Sequence, residues 1–412
     1  MNNSMNVRIY PSKAKGIVKA PPSKSMAHRY LICAGLAEGE SVVRNLAFSK
    51  DIEATVNCLR ALGADIRIDG DAAYITGVDV AKPTGTIQIL PCNESGSTLR
   101  FLIPICFLNG EEHVLTGSEY LMQRPLSVYE KITHSLELRL ERFEDKVIVK
   151  GKLQRGLFEV PGNISSQFIS GLMFALPLLN QDSRICVAPP VESFPYIDMT
   201  VDALQSFGID VKHGYYQIDH CFFWIIPSGK YIPADITVEG DYSNAAFFEA
   251  LNFAGSDVTV TGLNPDSLQG DKVYNILFEK IKSGEAVDLS DCPDLGPVAF
   301  AVAALLGKGV FTGTKRLRLK ESDRVSAMQE ELEKFGIDMV AFENTVSIGG
   351  VLRPPKEPLY GHNDHRIVMA LSVLLTVTGG VIEGADAVEK SFPDFFDRLR
   401  DLGVNLAYGM DQ

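Results

Sequence analysis

Several protein classes are excluded by what this chain lacks. Nowhere in its 412 residues is there an apolar run approaching the ~20 residues needed to cross a bilayer. The longest, Val298–Leu306 and Ile367–Val377, fall well short. Residues Met1–Tyr10 hold one basic side chain and no apolar stretch, so neither a signal peptide nor a transit peptide is expected. Cysteines number seven, scattered and without a Cys-x-x-Cys pair, which suits reduced thiols in the cytoplasm and neither a disulfide framework nor a zinc site. The seven histidines show no metal-binding spacing. His362 and His365 lie three apart without a second pair, so no metal is expected. No Lys/Arg block is present, and 52 acidic side chains against 39 basic ones give a net charge of −13. Such a surface repels polyphosphate backbones, which argues against nucleic acid. Taken at face value, the same charge also argues against small anionic substrates.

One local pattern recurs: an amphipathic run, a glycine, then an alternating strand. It appears at Leu59-Arg-Ala-Leu-Gly63-Ala-Asp-Ile, Leu204-Gln-Ser-Phe-Gly208-Ile-Asp-Val, Leu332-Glu-Lys-Phe-Gly336-Ile-Asp-Met and Leu399-Arg-Asp-Leu-Gly403-Val-Asn-Leu. This reads as a helix closed by a glycine in left-handed conformation and followed by an extended strand. The glycines lie 145, 128 and 67 residues apart. A unit of roughly 65–72 residues repeated about six times accounts for these spacings. The two missing copies fall near Leu136–Val149, which lacks the glycine, and near Ile281–Leu289. The pattern predicts an α/β protein with internal pseudo-symmetry, in two lobes of three units each. Ile226–Asp235, with two prolines and a glycine, is a candidate crossing between lobes.

Chemistry concentrates where short polar segments open apolar helices. Pro21-Pro22-Ser23-Lys24-Ser25 with His28 and Arg29 is a strong helix start beside two cations. Glu94-Ser95-Gly96-Ser97-Thr98 with Arg100, and Gly162-Asn-Ile-Ser165-Ser166-Gln167, repeat the theme about 70 residues apart. Singly, each also fits an ordinary capped surface helix. Together they match the repeat, so pseudo-symmetry places equivalent helix N-termini around one point. Free amides and helix dipoles there favour an anion without any net positive charge. No Walker A spacing is present. The second half supplies denser charge at Lys320-Glu321-Ser-Asp323-Arg324, Asp364-His365-Arg366 and Lys390.

Read together, these segments resemble the enolpyruvyl transferase family. The match runs from about Pro21 to Pro393 in the family's order. It also takes in Gln123-Arg124-Pro125, Ser193-Phe-Pro-Tyr196-Ile-Asp198, Glu239-Gly-Asp241-Tyr-Ser243, Cys292-Pro-Asp294-Leu295 and Lys390-Ser-Phe-Pro-Asp394. The resemblance implies an α/β (α+β) fold: two lobes, each an inverse α/β barrel of three βαβαββ repeats with pseudo-threefold symmetry. Residues 19–233 would form an N-terminal, shikimate-phosphate lobe, and 1–18 with 234–412 a C-terminal, phosphoenolpyruvate lobe. It further implies transfer of the carboxyvinyl group of phosphoenolpyruvate to the 5-hydroxyl of shikimate 3-phosphate, in a cytoplasmic monomer without cofactor or metal.

By position, Lys24, Ser25, Arg29, Ser165, Ser166, Gln167, Ser193, Tyr196, Asp294 and Lys320 are similar to the family's shikimate 3-phosphate ligands. Lys24, Gly96, Arg124, Gln167, Arg324, Arg366 and Lys390 are similar to its phosphoenolpyruvate ligands. Asp294, Glu321 and Lys24 would be catalytic, with Asp294 as base for the 5-hydroxyl and Glu321 in proton transfer at the vinyl methylene. The sequence departs from the family at Pro22, at Glu94 and Arg316 (each in place of a usual asparagine) and at Ser97 for threonine. A sister branch acting on UDP-N-acetylglucosamine and a silent anion-binding protein are the competing readings. Lys-Ser-x-x-His-Arg and Lys-Glu-Ser-Asp-Arg favour shikimate phosphate. An acidic exterior around a cationic site would then reconcile the net charge with two phosphorylated substrates.

Overall fold

The structure is a computed structural model that describes residues 5–409. The chain divides into two compact units: Pro22–Glu239, and the residues up to Pro21 together with those from Gly240 onward. The return between them therefore falls at Glu239/Gly240 rather than within Ile226–Asp235. Strand Asp235–Thr237 still belongs to the first of these units, where it pairs with Glu40–Arg44.

Among the described residues each unit contains three small sheets, and five of these six share one wiring. A strand pairs parallel with the next in space, which pairs antiparallel with a third, which pairs antiparallel with a fourth. In the Pro22–Glu239 unit this gives Asp235–Thr237, Glu40–Arg44, Ala72–Thr76, Asp65–Asp69; then Gln88–Asn93, Glu112–Gly117, Lys146–Lys150, Arg139–Arg142; then Leu157–Pro161, Ser183–Ala188, Cys221–Ile226, Lys212–Tyr216. The other unit holds Val287–Asp288, Lys308–Thr312, Thr345–Gly350, Ile337–Ala341 and Leu359–Tyr360, Gly380–Glu383, Val7–Ile9, Leu406–Tyr408. Its third sheet is the parallel pair Lys15–Lys19 and Asp257–Thr261.

The punctuation read from the sequence is present six times. Gly63, Gly208, Gly336 and Gly403 all have positive φ, between 76° and 111°. Gly284, at φ 87°, caps helix Tyr274–Ser283 and supplies one of the two copies not visible in the pattern. The other is Glu137, a non-glycine at φ 54°, between helix Ser127–Ser135 and strand Arg139–Arg142. A side chain there costs about 1 kcal/mol relative to glycine and leaves the local geometry intact.

Helices Lys24–Leu36, Gly96–Ile105 and Ser166–Ala175 are buried almost throughout, as are Tyr242–Phe253, Gly296–Leu306 and His365–Thr378. A helix apolar on every face can lie only inside, surrounded by other elements. Close approach helps: a Cβ on Gly171 would lie 2.5 Å from the Arg100 carbonyl oxygen, so Ser166–Ala175 packs directly on Gly96–Ile105. Every one of these inner helices carries its polar segment at the N-terminus, where apolar patterning gives way to Ser, Lys, Asp or Gly.

Candidate active site

In the Pro22–Glu239 unit, caps and hydroxyls build the site. Ser23, Ser95 and Ser165 cap their inner helices by accepting from the Met26, Thr98 and Gln167 amides. Lys24, at the first helical position, pairs with Asp51 at 2.8 Å, both side chains largely covered. One turn further along the two helices, His28 Nδ1 meets the Thr55 hydroxyl at 2.8 Å, Thr55 meets Thr98 at 2.7 Å, and the Thr98 hydroxyl donates to Ser95 at 2.7 Å. All four are buried. A hydroxyl has one proton, so Thr55 must donate to Thr98 and therefore accept from His28, which fixes His28 as the Nδ1–H tautomer. Burial, with Lys24 and Arg29 nearby, holds the His28 pKa well below the usual imidazole range, so the ring is neutral.

Arg29 is buried and works largely within the protein. It donates to Thr200 Oγ1 (2.9 Å), the Ser25 carbonyl (2.7 Å) and the Tyr196 carbonyl (2.8 Å), tying helix Lys24–Leu36 to helix Phe194–Ser206. Burial lowers its pKa to about 10. Two of its five N–H groups remain for a ligand. Ser193, just before Phe194–Ser206, is held at φ 57° and is buried. Gln167 donates to Ser97 Oγ at 3.0 Å and accepts from Arg100 at 2.7 Å, while Arg100 also donates to the Pro125 carbonyl. Ser166 is buried beside it at the helix start.

Arg124 is different. Among the described residues its guanidinium makes no hydrogen bond or ion pair, and its Nε is buried without a partner. It lies over the start of helix Gly96–Ile105, so close that a Cβ on Gly96 would stand 2.3 Å from Arg124 Nη1. A half-buried, uncompensated cation beside a helix N-terminus is set up for an anion.

The other unit concentrates charge. Asp294, in the turn Pro293–Leu295 before helix Gly296–Leu306, receives Lys320 Nζ at 3.0 Å and Arg324 Nη1 at 2.9 Å on Oδ1, and Arg366 Nη2 at 3.1 Å on Oδ2. Burial alone would raise its pKa. Arg366, Lys320 and Arg324 together outweigh that and hold it well below the ordinary value of 3.8. Arg324 is fully buried and also donates to Glu321 Oε2 (2.6 Å) and Asp364 Oδ2 (2.8 Å). Asp364 in turn caps helix His365–Thr378 by accepting from the Arg366 amide, and accepts from the Ser322 hydroxyl. Lys390 Nζ donates to the Asn363 carbonyl at 2.7 Å. Burial, with Arg324 and Arg316 close by, lowers the Lys320 pKa against the pull of Asp294. Arg316 is buried, so this unit carries one more cation at the site than the matched motifs alone supply.

Asp294, Lys320, Glu321, Arg324 and Arg366 are thus directly joined, with Lys390 linked through the loop before Asp364. Lys24, Ser25, Arg29, Gly96, Arg124, Ser165, Ser166, Gln167, Ser193 and Tyr196 all belong to the Pro22–Glu239 unit, at or beside helix starts. None of the eight basic residues in the matched motifs is exposed. Sequence reasoning did not single out Asp51, Arg100 as the group orienting Gln167, or Asp364 as the partner of Arg324. Asp51 carried no signal, because an acidic residue in a first helical turn is ordinary. Asp364 carried one: it immediately precedes an apolar helix.

In the unit from Gly240 onward, cations around the carboxyl groups of Asp294 and Glu321 suit phosphorylated substrates and proton transfer. The Pro22–Glu239 unit by itself offers cations, hydroxyls and helix N-termini suited to an anion. Residues 10–399 match the family model for EPSP synthase (3-phosphoshikimate 1-carboxyvinyltransferase). The 3-phosphoshikimate 1-carboxyvinyltransferase of Clostridium perfringens (strain ATCC 13124) is 40% identical over 420 residues, covering 96% of this chain and 98% of its own. That of Clostridium acetobutylicum is 40% identical over 422 residues, with 97% and 98% covered. An EPSP synthase structure from Acinetobacter baumannii superposes with TM-score 0.78 at 24% identity, covering 99% of this chain and all of the other. The enolpyruvyl transferase NikO from Streptomyces tendae gives 0.76 at 13% identity, with 99% of each chain covered. The chain belongs to the EPSP synthase family.

Proposed function

We propose that the chain transfers the carboxyvinyl group of phosphoenolpyruvate to the 5-hydroxyl of shikimate 3-phosphate and releases phosphate. The observation that carries this reading is Asp294, an ionised carboxylate gripped by Lys320, Arg324 and Arg366, with Glu321 sharing Arg324. Addition of an alcohol across the vinyl group needs one proton placed on carbon and one removed from oxygen. Elimination then takes a proton back from that carbon as phosphate leaves. Two carboxyl groups serve these steps: Asp294 accepts from the 5-hydroxyl, and Glu321 gives and retrieves the carbon proton. As it stands, Asp294 is too acidic to be a strong base. Substrate anions that draw Lys320 and Arg366 away raise its basicity as they bind, so the base gains strength when there is something to deprotonate.

The remaining groups bind. Arg124 at the Gly96 helix start, with Arg324, Arg366 and Lys390, holds phosphoenolpyruvate, and arginine's planar fork suits its carboxylate and phosphate. Ser25, Arg29, Ser165, Ser166, Gln167, Ser193, Tyr196 and Lys320 hold shikimate 3-phosphate, and Lys24 serves both. A monomer acting in the cytoplasm, without a cofactor or metal, completes the reading. The cytoplasmic part is supported by seven free cysteines, as a reducing compartment keeps them. Phosphate release from phosphoenolpyruvate is the test, with shikimate 3-phosphate and with UDP-N-acetylglucosamine as alternative acceptors. Release is expected with the first alone, and none with it would sink the proposal.

A further inference from the structure

The loop leading into Asp364 is held from below by a carboxylate that the reaction leaves unused. Glu331 lies on helix Arg324–Lys334, two turns beyond Arg324, and is fully buried. Its Oε2 accepts from the Tyr360 amide at 3.0 Å and its Oε1 from His362 Nε2 at 2.8 Å, while Lys334 Nζ lies 3.1 Å from Oε1 and 3.0 Å from Oε2. His362 and Asn363 are consecutive non-glycine residues in the left-handed region, at φ 48° and 52°. Side chains adopt this region uncommonly, and a consecutive pair there is held by its surroundings. The strained pair leads straight into the charged site: the Asn363 carbonyl receives Lys390, and Asp364 receives Arg324.

Glu330, Glu331 and His362 also place ligand atoms within 4.8 Å of one another. Lys334 already neutralises Glu331, however, and a cation would have to expel that ammonium from a buried carboxylate. The arrangement is a brace rather than a metal site.

We propose that Glu331 and His362 are positioning residues. They clamp the Tyr360–Asn363 loop to the helix that carries Arg324, and so set Lys390 and Arg324 for phosphoenolpyruvate. This rests on the assignment of those two cations to phosphoenolpyruvate under the proposed function. Neither Glu331 nor His362 is among the residues assigned to a substrate under the proposed function. Its loss should loosen one substrate's site and spare the other, whereas a general loss of stability would not discriminate.

The test is the KM for each substrate, measured separately, in His362→Asn, Glu331→Gln, Glu331→Ala and, as reference, Lys390→Met. Asparagine tolerates the left-handed conformation and is too short to reach Glu331, so His362→Asn cuts the link without adding backbone strain. KM for phosphoenolpyruvate should rise about fivefold in His362→Asn and about tenfold or more in Glu331→Ala, with Glu331→Gln between, because it keeps one acceptor oxygen. KM for shikimate 3-phosphate should stay within about twofold. If Glu331→Ala does not fold, as judged by circular dichroism, the other two variants decide. A wild-type KM for phosphoenolpyruvate in folded His362→Asn and Glu331→Gln overturns the brace, as does an equal rise for both substrates. A silent Lys390→Met would overturn the assignment of Lys390 and the brace with it, whereas a responsive Lys390→Met beside silent brace variants sinks the brace alone.

Discussion

The two units prepare for anions by opposite means. In Pro22–Glu239 helix N-termini and hydroxyls stand beside a few cations: Lys24 pairs with Asp51, Arg29 donates to hydroxyl and carbonyl oxygens, and Arg124 has no polar partner among the described residues. In the other unit, side chains do the work, with the carboxyl groups of Asp294, Glu321 and Asp364 interleaved among Lys320, Arg324 and Arg366. Backbone dipoles do not titrate and side chains do. The groups of the first unit should therefore keep their character across pH, and those of the second should depend on protonation and on each neighbour's charge. A net charge of −13 is no obstacle to such sites, because an anion meets local geometry and not the sum over the surface.

Removing the carboxylate from the charge-rich half should have the largest effect. Asp294→Asn leaves three cations without their common partner and no base for the hydroxyl, and a fall in kcat of about 10²–10⁴ is expected in the phosphate-release assay. Retention of wild-type rate would show that the charge-rich half only binds. Next comes the dipole-rich half. Gly96→Ala puts a methyl 2.3 Å from Arg124 Nη1, so the guanidinium must leave the helix start. KM for phosphoenolpyruvate should rise about tenfold or more while KM for shikimate 3-phosphate changes little. Equal changes in both would mean that Arg124 is not the group displaced.

Stability should separate the halves by pH. Asp271 is buried beside Ser243, and burial, reinforced by Asp294, raises its pKa from 3.8 to about 6. A carboxyl with a raised folded-state pKa favours folding while protonated, so its penalty grows as pH rises from 3.8 through about 6 and is complete above. Asp271→Asn should accordingly stabilise the protein at pH 8 by about 1–3 kcal/mol, with the gain gone below about pH 4, as read by urea denaturation at both pH values. Asp294 has the opposite sign: its contribution is present at neutral pH and is lost as pH falls through its depressed folded value. The neutral relay should show the smallest change with pH. Thr55→Val strands the His28 Nδ1–H and should cost about 1–3 kcal/mol at any pH from 5 to 9, and a strongly pH-dependent cost would show that His28 is charged after all.

Much of this was legible in the residues, for physical reasons that can be named. A left-handed residue after a helix selects glycine, so Gly63, Gly208, Gly336 and Gly403 advertised the repeat and its period. Glu137 hid one copy, because a single strained residue is tolerable and leaves no mark in the sequence. Helix starts at Ser23, Ser95 and Ser165 were visible as caps before apolar runs. The pairings that tune the chemistry were not. Lys24 with Asp51, Gln167 with Arg100 and Arg324 with Asp364 are 27, 67 and 40 residues apart, and nothing local in either partner announces the other.

The placement of Val7–Ile9 between Gly380–Glu383 and Leu406–Tyr408 bears on how the protein comes into being. The Pro22–Glu239 unit is one continuous stretch and can complete its contacts while the rest of the chain is still being synthesised. The other unit closes only when Val7–Ile9 meets Leu406–Tyr408, made some four hundred residues later. Until then Val7–Ile9 has no edge to join, and its apolar residues must stay out of wrong pairings.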